Sequence, residues 1–338
     1  MPSSLPSQAS DAALGRVAQA WRERHARFPG ETDARQPVHT VYGGAHLFRH
    51  DTARRLGDLA LRSLEAYAPD AETFAAAIRL APGLAATVRA RVIEKLETEP
   101  VEDFRIDFED GYGSRPDEEE DAAAEAAARE VARGLDLGTL PPFVGIRVKT
   151  LTPELGARAA RTLDLFVTTL LEKTGGALPP GFVVTNPKVV VPDQAAALAD
   201  LFEALEDRSG LEPGSLKMEL MVETPGSVLD ERGRAALPAL VEAARGRCVA
   251  AHFGVYDYTA SLGITALDQD LDHPACDFAR HVMQVVLRDT GVWLSDGATN
   301  VMPAPVHRAP EAGSLTPEQA AENRAAVHRG WDLHYRHV

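Results

Sequence analysis

The sequence predicts an α/β fold on a parallel sheet: a (β/α)8 TIM barrel with an N-terminal helical extension and a C-terminal helix. Three observations predict it. Short apolar or β-branched runs alternate with longer stretches of helical period, which is the pattern of repeated βα units. Seven such runs, and an eighth candidate, fall within roughly 270 residues, which suits a barrel of typical size ~250 residues. Most runs begin apolar and end polar or charged, and in a barrel those C-terminal ends converge on the face where sites are built.

Residues 1–36 read as an extension: a helix at about 11–27, then the turn-prone "FPGETDARQP", where Pro29-Gly30 marks a break. The barrel is assigned to 37–310. Its strand runs are "PVHTVYGG", "FRIDFEDG", "FVGIRVKT", "FVVTNPKVVV", "KMELMVETP", "CVAAHFGVYDY" and "GVWLSDG", with "TNVMPAPV" as the eighth candidate. Helix-period stretches such as "DTARRLGDLALRSLEAYA", "PELGARAARTLDLFVTTLLEKT" and "DQAAALADLFEALEDRSG" lie between them. The acidic, Ala-rich "RPDEEEDAAAEAAARE" reads as a solvated helix start, where acids favour the dipole. Residues 311–338 form the C-terminal helix, whose Trp331 and Tyr335 dock on a neighbour or on the chain's own barrel. A doubly wound open sheet is the structural alternative, but Gly43-Gly44 is not part of a GxGxxG turn.

The chain has 338 residues, 45% of them hydrophobic, which is ordinary for a globular protein with a sizeable core. Its 50 acidic residues against 35 basic ones give a net charge of −15, which repels nucleic acid and anionic lipid and discounts both as partners. The two cysteines, Cys248 and Cys276, define no disulfide framework. The N-terminus shows no signal-peptide core, and no apolar run approaches the ~20 residues of a membrane span. A cytoplasmic protein is expected.

The stretch "DFRIDFEDGYG", Asp103–Gly113, reads as a buried strand yet carries Asp103, Asp107, Glu109 and Asp110. Carboxylates are costly to desolvate, so a cation is one answer. Later runs end in Arg147 and Lys149, in Asn186 and Lys188, in Glu223, in Asp257, and in Ser295 and Asp296. Glu223 and Asp257 lie 34 positions apart, about one βα unit, so they project from adjacent strands. Two hard oxygen ligands there suit Mg²⁺, which takes one or two carboxylates and keeps waters and substrate oxygens. Arg147 can grip a carboxylate with both prongs of its guanidinium. Glu109 and Asp110 can hold metal-bound waters. The bland readings stay open: Glu223 and Asp257 as surface or capping acids, Asp110 as a turn former before Gly111, and Arg147 as a structural ion pair with Glu109.

With those residues in place, the chain resembles the HpcH/HpaI aldolase and citrate lyase beta-subunit family, of the phosphoenolpyruvate/pyruvate barrel superfamily, from about Val38 to Asp296. "IDFEDGY" resembles that family's LDLEDAV, "GIRV" its VRIN, "NPKVV" its LPKVE, "LMVETPGSV" its IETAxGV, "HFGVYDYTASLG" its FGxEDLxxDLG and "LSDG" its IDGV. The resemblance implies a carbon–carbon lyase or aldolase that uses Mg²⁺, or Mn²⁺ in its place. Its substrate would be a small oxo acid, cleaved through a metal-stabilised pyruvate-type enolate. By position Glu223 and Asp257 are the metal ligands and Arg147 binds a substrate carboxylate. Lys188 and the backbone at Thr224 and Gly226, behind Pro225 in the first turn of a helix, complete the substrate side. The candidate bases are Asp296, His46, His252 and a metal-bound water; His252 reads equally as a barrel-lining histidine. His46 stands where the family carries an Arg. The family's GxxGKxxIHPxQI segment is replaced by "ATNVMPAPVHRAP", so the acyl-CoA features are not recognisable and a free oxo acid is favoured. The rivals are an acyl-CoA lyase (citramalyl- or malyl-CoA-like) or malate-synthase-like condensing enzyme, and a catalytically silent barrel that binds a metal–keto acid complex. The resemblance also implies a homo-oligomer, a trimer or hexamer.

Overall fold

The alternation within the charged strand decides which way its residues point. In the computed structural model, which describes residues 6–31, 33–309 and 314–337, β2 (Asp103–Asp107) lies second in one parallel sheet. The sheet runs β1 (Thr40–Gly44), β2, β3 (Phe143–Arg147), β4 (Val183–Asn186), β5 (Lys217–Val222), β6 (Cys248–Phe253) and β7 (Trp293–Ser295), in chain order. The helices are α1 (Ser7–Arg27), α2 (Thr52–Tyr67), α3 (Ala71–Ala77), α4 (Ala85–Thr98), α5 (Asp117–Leu137) and α6 (Gly156–Thr174). They continue with α7 (Pro192–Ser209), α8 (Pro225–Val228), α9 (Leu237–Ala243), α10 (Val255–Ser261), α11 (Pro274–Leu287) and α12 (Pro317–His337). Among the described residues no helix is long and apolar enough to cross a membrane.

Phe104, Ile106 and Phe108 are buried in the main hydrophobic core, where Phe104 meets Phe48 and Phe108 meets Phe166. The alternate residues Asp103, Arg105 and Asp107 face the concave side of the sheet. There Arg105 is ion-paired with Asp103 and lies 3.6 Å from Glu219. Glu219 accepts hydrogen bonds from Tyr42 Oη at 3.0 Å and Thr185 Oγ1 at 2.9 Å. Side chains of β1, β2, β4 and β5 therefore meet, and the sheet curls as a barrel wall does. These charges are buried, and the network of paired donors and acceptors offsets their desolvation. A cavity of about 160 Å³ remains at the N-terminal strand ends, lined in part by Asp103, Arg105, Phe143, Glu219 and Trp293.

The barrel does not close. Seven strands form the sheet, and β1 and β7 are its two edges. Near that seam Gln36 Nε2 donates to Leu294 O at 2.7 Å, a single side-chain bond where a ladder would run. The expected eighth strand at "TNVMPAPV" is irregular chain instead. Pro303 and Pro305 have no N–H to give a ladder. The segment packs on α12: Pro303 lies so close to Gly330 that a side chain there would collide, and Asn323 bonds both the N–H and the carbonyl of His307 at 2.7 and 2.9 Å.

The acidic helix start also differs in one place from the sequence reading. Asp117, Glu118 and Glu119 are exposed in the first turn of α5, but Glu120 is fully buried. It turns inward to Lys149 Nζ at 2.7 Å and Thr162 Oγ1 at 2.6 Å.

Gly145 sits opposite Arg105 in the curled wall. A Cβ there would collide with Val183 O and press on Arg105 Cδ at 3.3 Å. Gly145→Ala is expected to destabilise the fold by at least about 2 kcal/mol, read from urea denaturation midpoints, because neither neighbour is a free side-chain end.

Candidate active site at the C-terminal strand ends

The charged strand ends converge on two linked clusters. In the first, Arg147 at the end of β3 donates Nε to Asp107 Oδ1 at 2.8 Å and Nη2 to Asp107 Oδ2 at 2.5 Å. Its Nη1 faces Glu109 at 3.3 Å, and the guanidinium lies 4.9 Å from the Tyr42 ring centroid. Burial opposes its charge, but the hydrogen bonds and charge of Asp107 outweigh that and hold it cationic. Asp107 also accepts from the backbone N–H of Glu109 at 2.9 Å and of Gly111 at 2.8 Å, which shapes the acidic loop. The structural pair with Glu109 that stood as the alternative for Arg147 is therefore present, and the guanidinium fork expected to grip a substrate carboxylate is taken by Asp107.

The second cluster centres on Lys188. Its ammonium is hydrogen-bonded to Glu109 and lies 3.1 Å from both Asp110 and Asp257. Its backbone N–H donates to Glu223 Oε1 at 2.7 Å. The residue has φ 51°, a left-handed conformation that a lysine adopts at some cost. That twist lets one residue touch four carboxylates, contributed by the segments that follow β2, β5 and β6. Glu223 is buried directly after β5, whereas Asp257 lies in the first turn of α10 rather than at a strand end.

Across the two linked clusters two cations, Arg147 and Lys188, face five acids, Asp107, Glu109, Asp110, Glu223 and Asp257. Burial, with the charges of Asp257 and Glu109, pushes Glu223 up to about 7 despite Lys188 beside it. Burial likewise raises Glu109. Lys188 itself is raised, because its hydrogen bond to Glu109 and the surrounding carboxylates outweigh its burial. Surplus carboxylate oxygen of this kind fits a hard divalent cation. Among the described residues no three His, Cys, Asp or Glu side chains form a group that could hold a metal ion.

Lys188→Ala is expected to destabilise the protein, by about 2 kcal/mol near pH 8 and by less near pH 5. Without the ammonium the carboxylates repel one another only when ionised, so the loss grows as pH rises. Thermal melts across that range, in chelator, would check the trend.

The remaining expected residues are placed as follows. Thr224 caps α8, and its N–H is taken by Ser227 Oγ at 3.3 Å rather than left for an anion. Gly226 lies in α8 against Val190. Asp296 is exposed and held by Arg280 at 3.2 Å, toward α11. His46 is exposed, with its ring edge-on to Tyr112 at 5.6 Å. His252 lines the curled wall: its ring meets Tyr42 at 5.4 Å, and burial keeps it neutral. The sequence reading missed Asp107 and Tyr42 as site residues. The period-2 pattern of "DFRID" put Asp107 on the same face as Arg105, a signal that could have found it.

A family model described as "Domain of unknown function (DUF6986)" matches residues 17–338. The chain belongs to that family. No curated protein matches it. Among solved structures it is similar to a citrate lyase from Burkholderia xenovorans LB400, at 19% identity and a TM-score of 0.46, over 71% of this chain and 73% of that one. It is also similar to Haloferax volcanii malate synthase. The magnesium/glyoxylate complex of that enzyme matches at 21% identity and TM-score 0.45, over 67% of this chain and 66% of that one. Its pyruvate/acetyl-CoA ternary complex matches at 19% and 0.43, over 67% and 61%. The chain thus spans slightly less than two thirds of the malate synthase's length. The likeness to all of these is distant.

Proposed function

We propose that the protein is a Mg²⁺-dependent carbon–carbon lyase acting on a small oxo acid, as the motifs from "IDFEDGY" to "LSDG" suggest. The observation that carries this reading is the buried Glu223 carboxylate, raised to about 7 on the Lys188 backbone N–H, beside Glu109, Asp110 and Asp257 on the Lys188 ammonium, with Arg147 the one further cation among the described residues of the cluster. A structural ion-pair cluster would balance its charges; this one keeps surplus oxygen at the end of the sheet where βα loops meet.

Glu223 and Asp257 would hold the ion, with Glu109 and Asp110 positioned to bind its waters. When bound, Mg²⁺ supplies a Lewis acid for the keto oxygen of the substrate. Lys188 has three ammonium protons and can turn one to a substrate carboxylate while keeping Glu109. Arg147, locked by Asp107, adds fixed positive charge close by without reorienting. Of the candidate side-chain bases, Asp296 is tied to Arg280 and His252 is buried against Tyr42, while His46 is exposed beside Tyr112 of the acidic loop. We therefore assign the hydroxyl proton of the leaving half to His46.

The test is a set of thermal melts with Mg²⁺, with oxalate as a pyruvate-enolate mimic, and with both. A ligand at ~100 times its dissociation constant stabilises by about 2.7 kcal/mol, which a melt resolves. Oxalate is expected to raise the melting temperature only together with Mg²⁺. Equal shifts with and without the metal, or none at all, would overturn the reading.

A further inference from the structure

α1 is 21 residues long, yet every residue given an exposure from Asp11 to Arg27 lies on the surface. Leu14, Val17 and Trp21 are 65%, 52% and 55% exposed. Leu14, Trp21 and Phe28 are spaced seven apart with Val17 between them, the narrow apolar seam by which one helix packs along another. Among the described residues, the contacts of α1 with the rest of the chain lie at its C-terminal end. Arg27 faces Glu242 at 3.7 Å, Arg288 faces Glu31 at 3.2 Å, and Gly30 N–H donates to Asp289 O at 2.9 Å. Beside that anchor a cleft of about 780 Å³ is lined by Phe28, Val241, Val285 and Leu287.

The chain displays a matching face. On α11, Phe278 and Val285 are again seven apart and are 50% and 78% exposed. Leu267, just before that helix, is 98% exposed. Around Leu267 and Phe278 stand Asp268, Asp270, Asp272 and Asp277, the last paired with Arg280, while Val285 borders the cleft that Arg24, Arg27 and Arg288 also line. In α1 the charges are opposite: Arg16, Arg22, Arg24 and Arg27 outnumber Asp11 and Glu23, in a chain whose net charge is −15. Two copies of α1 would repel each other. An α1 seam on an α11 face joins apolar surface of equal spacing, with opposite charge at the Leu267–Phe278 end.

We propose that α1 is an exchange arm, packing its Leu14–Val17–Trp21 seam along the Phe278–Val285 face of α11 in a second copy of this chain. A two-fold axis would make the contact reciprocal, each chain lending its arm to the other. The proposal does not depend on the chemistry of the strand-end site.

Single-cysteine variants test it, since the native Cys248 and Cys276 are buried. Trp21→Cys and Val285→Cys, mixed as separate full-length chains under mild oxidation, are expected to give a disulfide-linked heterodimer. The double variant alone, forming an intramolecular bond with no cross-linking in the mixture, would mean the arm folds onto its own body and would overturn the proposal. Sedimentation gives the second readout. Trp21→Glu and Val285→Asp, both on exposed positions, are each expected to reduce the wild-type assembly with an unchanged far-UV circular dichroism spectrum. A wild type that sediments as a monomer, or an assembly indifferent to both changes, would refute the exchange.

Discussion

Glu223→Gln is expected to abolish the joint stabilisation by Mg²⁺ and oxalate, and with it any turnover, while making the metal-free protein more stable above neutral pH. The two halves of this result have one cause. The folded protein holds Glu223 up at about 7, first by burial and then through the charges of Asp257 and Glu109. Between the unfolded value near 4.5 and about 7, the folded state binds more protons than the unfolded one, so stability falls as pH rises through that window. Above it Glu223 is ionised in both states and its full penalty is felt. Glutamine is nearly isosteric and uncharged, and it keeps a carbonyl oxygen for the Lys188 N–H. It should recover about 1–3 kcal/mol near pH 8 and almost nothing near pH 4. The same substitution removes the anionic oxygen a divalent ion needs. Melts in chelator across this pH range, followed by melts with Mg²⁺ and oxalate, separate the halves. A variant that is less stable than wild type at high pH would show that Glu223 is a satisfied structural acid. A variant that still responds jointly to Mg²⁺ and oxalate would remove it from the metal site.

How far the sequence can be read here depends on whether a feature is local. The seven strand runs were legible because each alternates or concentrates apolar residues over a few positions, and β1 to β7 follow those runs in order, β2 starting one residue earlier at Asp103. The spacing of Glu223 and Asp257 placed them on neighbouring βα units, and β5 does pair with β6, but Asp257 stands in the first turn of α10 rather than at the strand end that the spacing implied. The eighth strand was misread because "TNVMPAPV" carries β-compatible residues, whereas its prolines and its contacts with α12 decide its fate. Glu120 was misread as solvated because its partner Lys149 is distant in sequence. Lys188 was legible as a strand-end cation but not as the hub of four carboxylates. That role depends on a backbone twist at φ 51° that nothing in "NPKVV" announces.

Asp107→Ala is expected to be among the most destabilising single changes in the molecule, at about 3–5 kcal/mol, because it strands the buried Arg147 guanidinium. Two further donors lose their acceptor at once: the N–H groups of Glu109 and Gly111, at 2.9 and 2.8 Å. The loop that presents Glu109 and Asp110 should therefore loosen, so the effect reaches beyond the fold to the site. Asp107→Asn should fall between wild type and alanine, since the amide keeps one acceptor but turns donors toward a guanidinium that has none to accept with. The informative comparison is the double variant Asp107→Leu/Arg147→Met. Replacing both members of a buried ion pair with apolar groups commonly restores stability that breaking the pair had cost. Urea denaturation of the two single variants and the double variant gives the coupling as a cycle. If the double variant regains stability while Mg²⁺ and oxalate no longer stabilise it, the pair is kept for the charge and loop geometry it imposes on the site. If Asp107→Ala costs less than about 1 kcal/mol, well below the range for a broken buried pair, Arg147 is held by Glu109 and Tyr42, and Asp107 is dispensable.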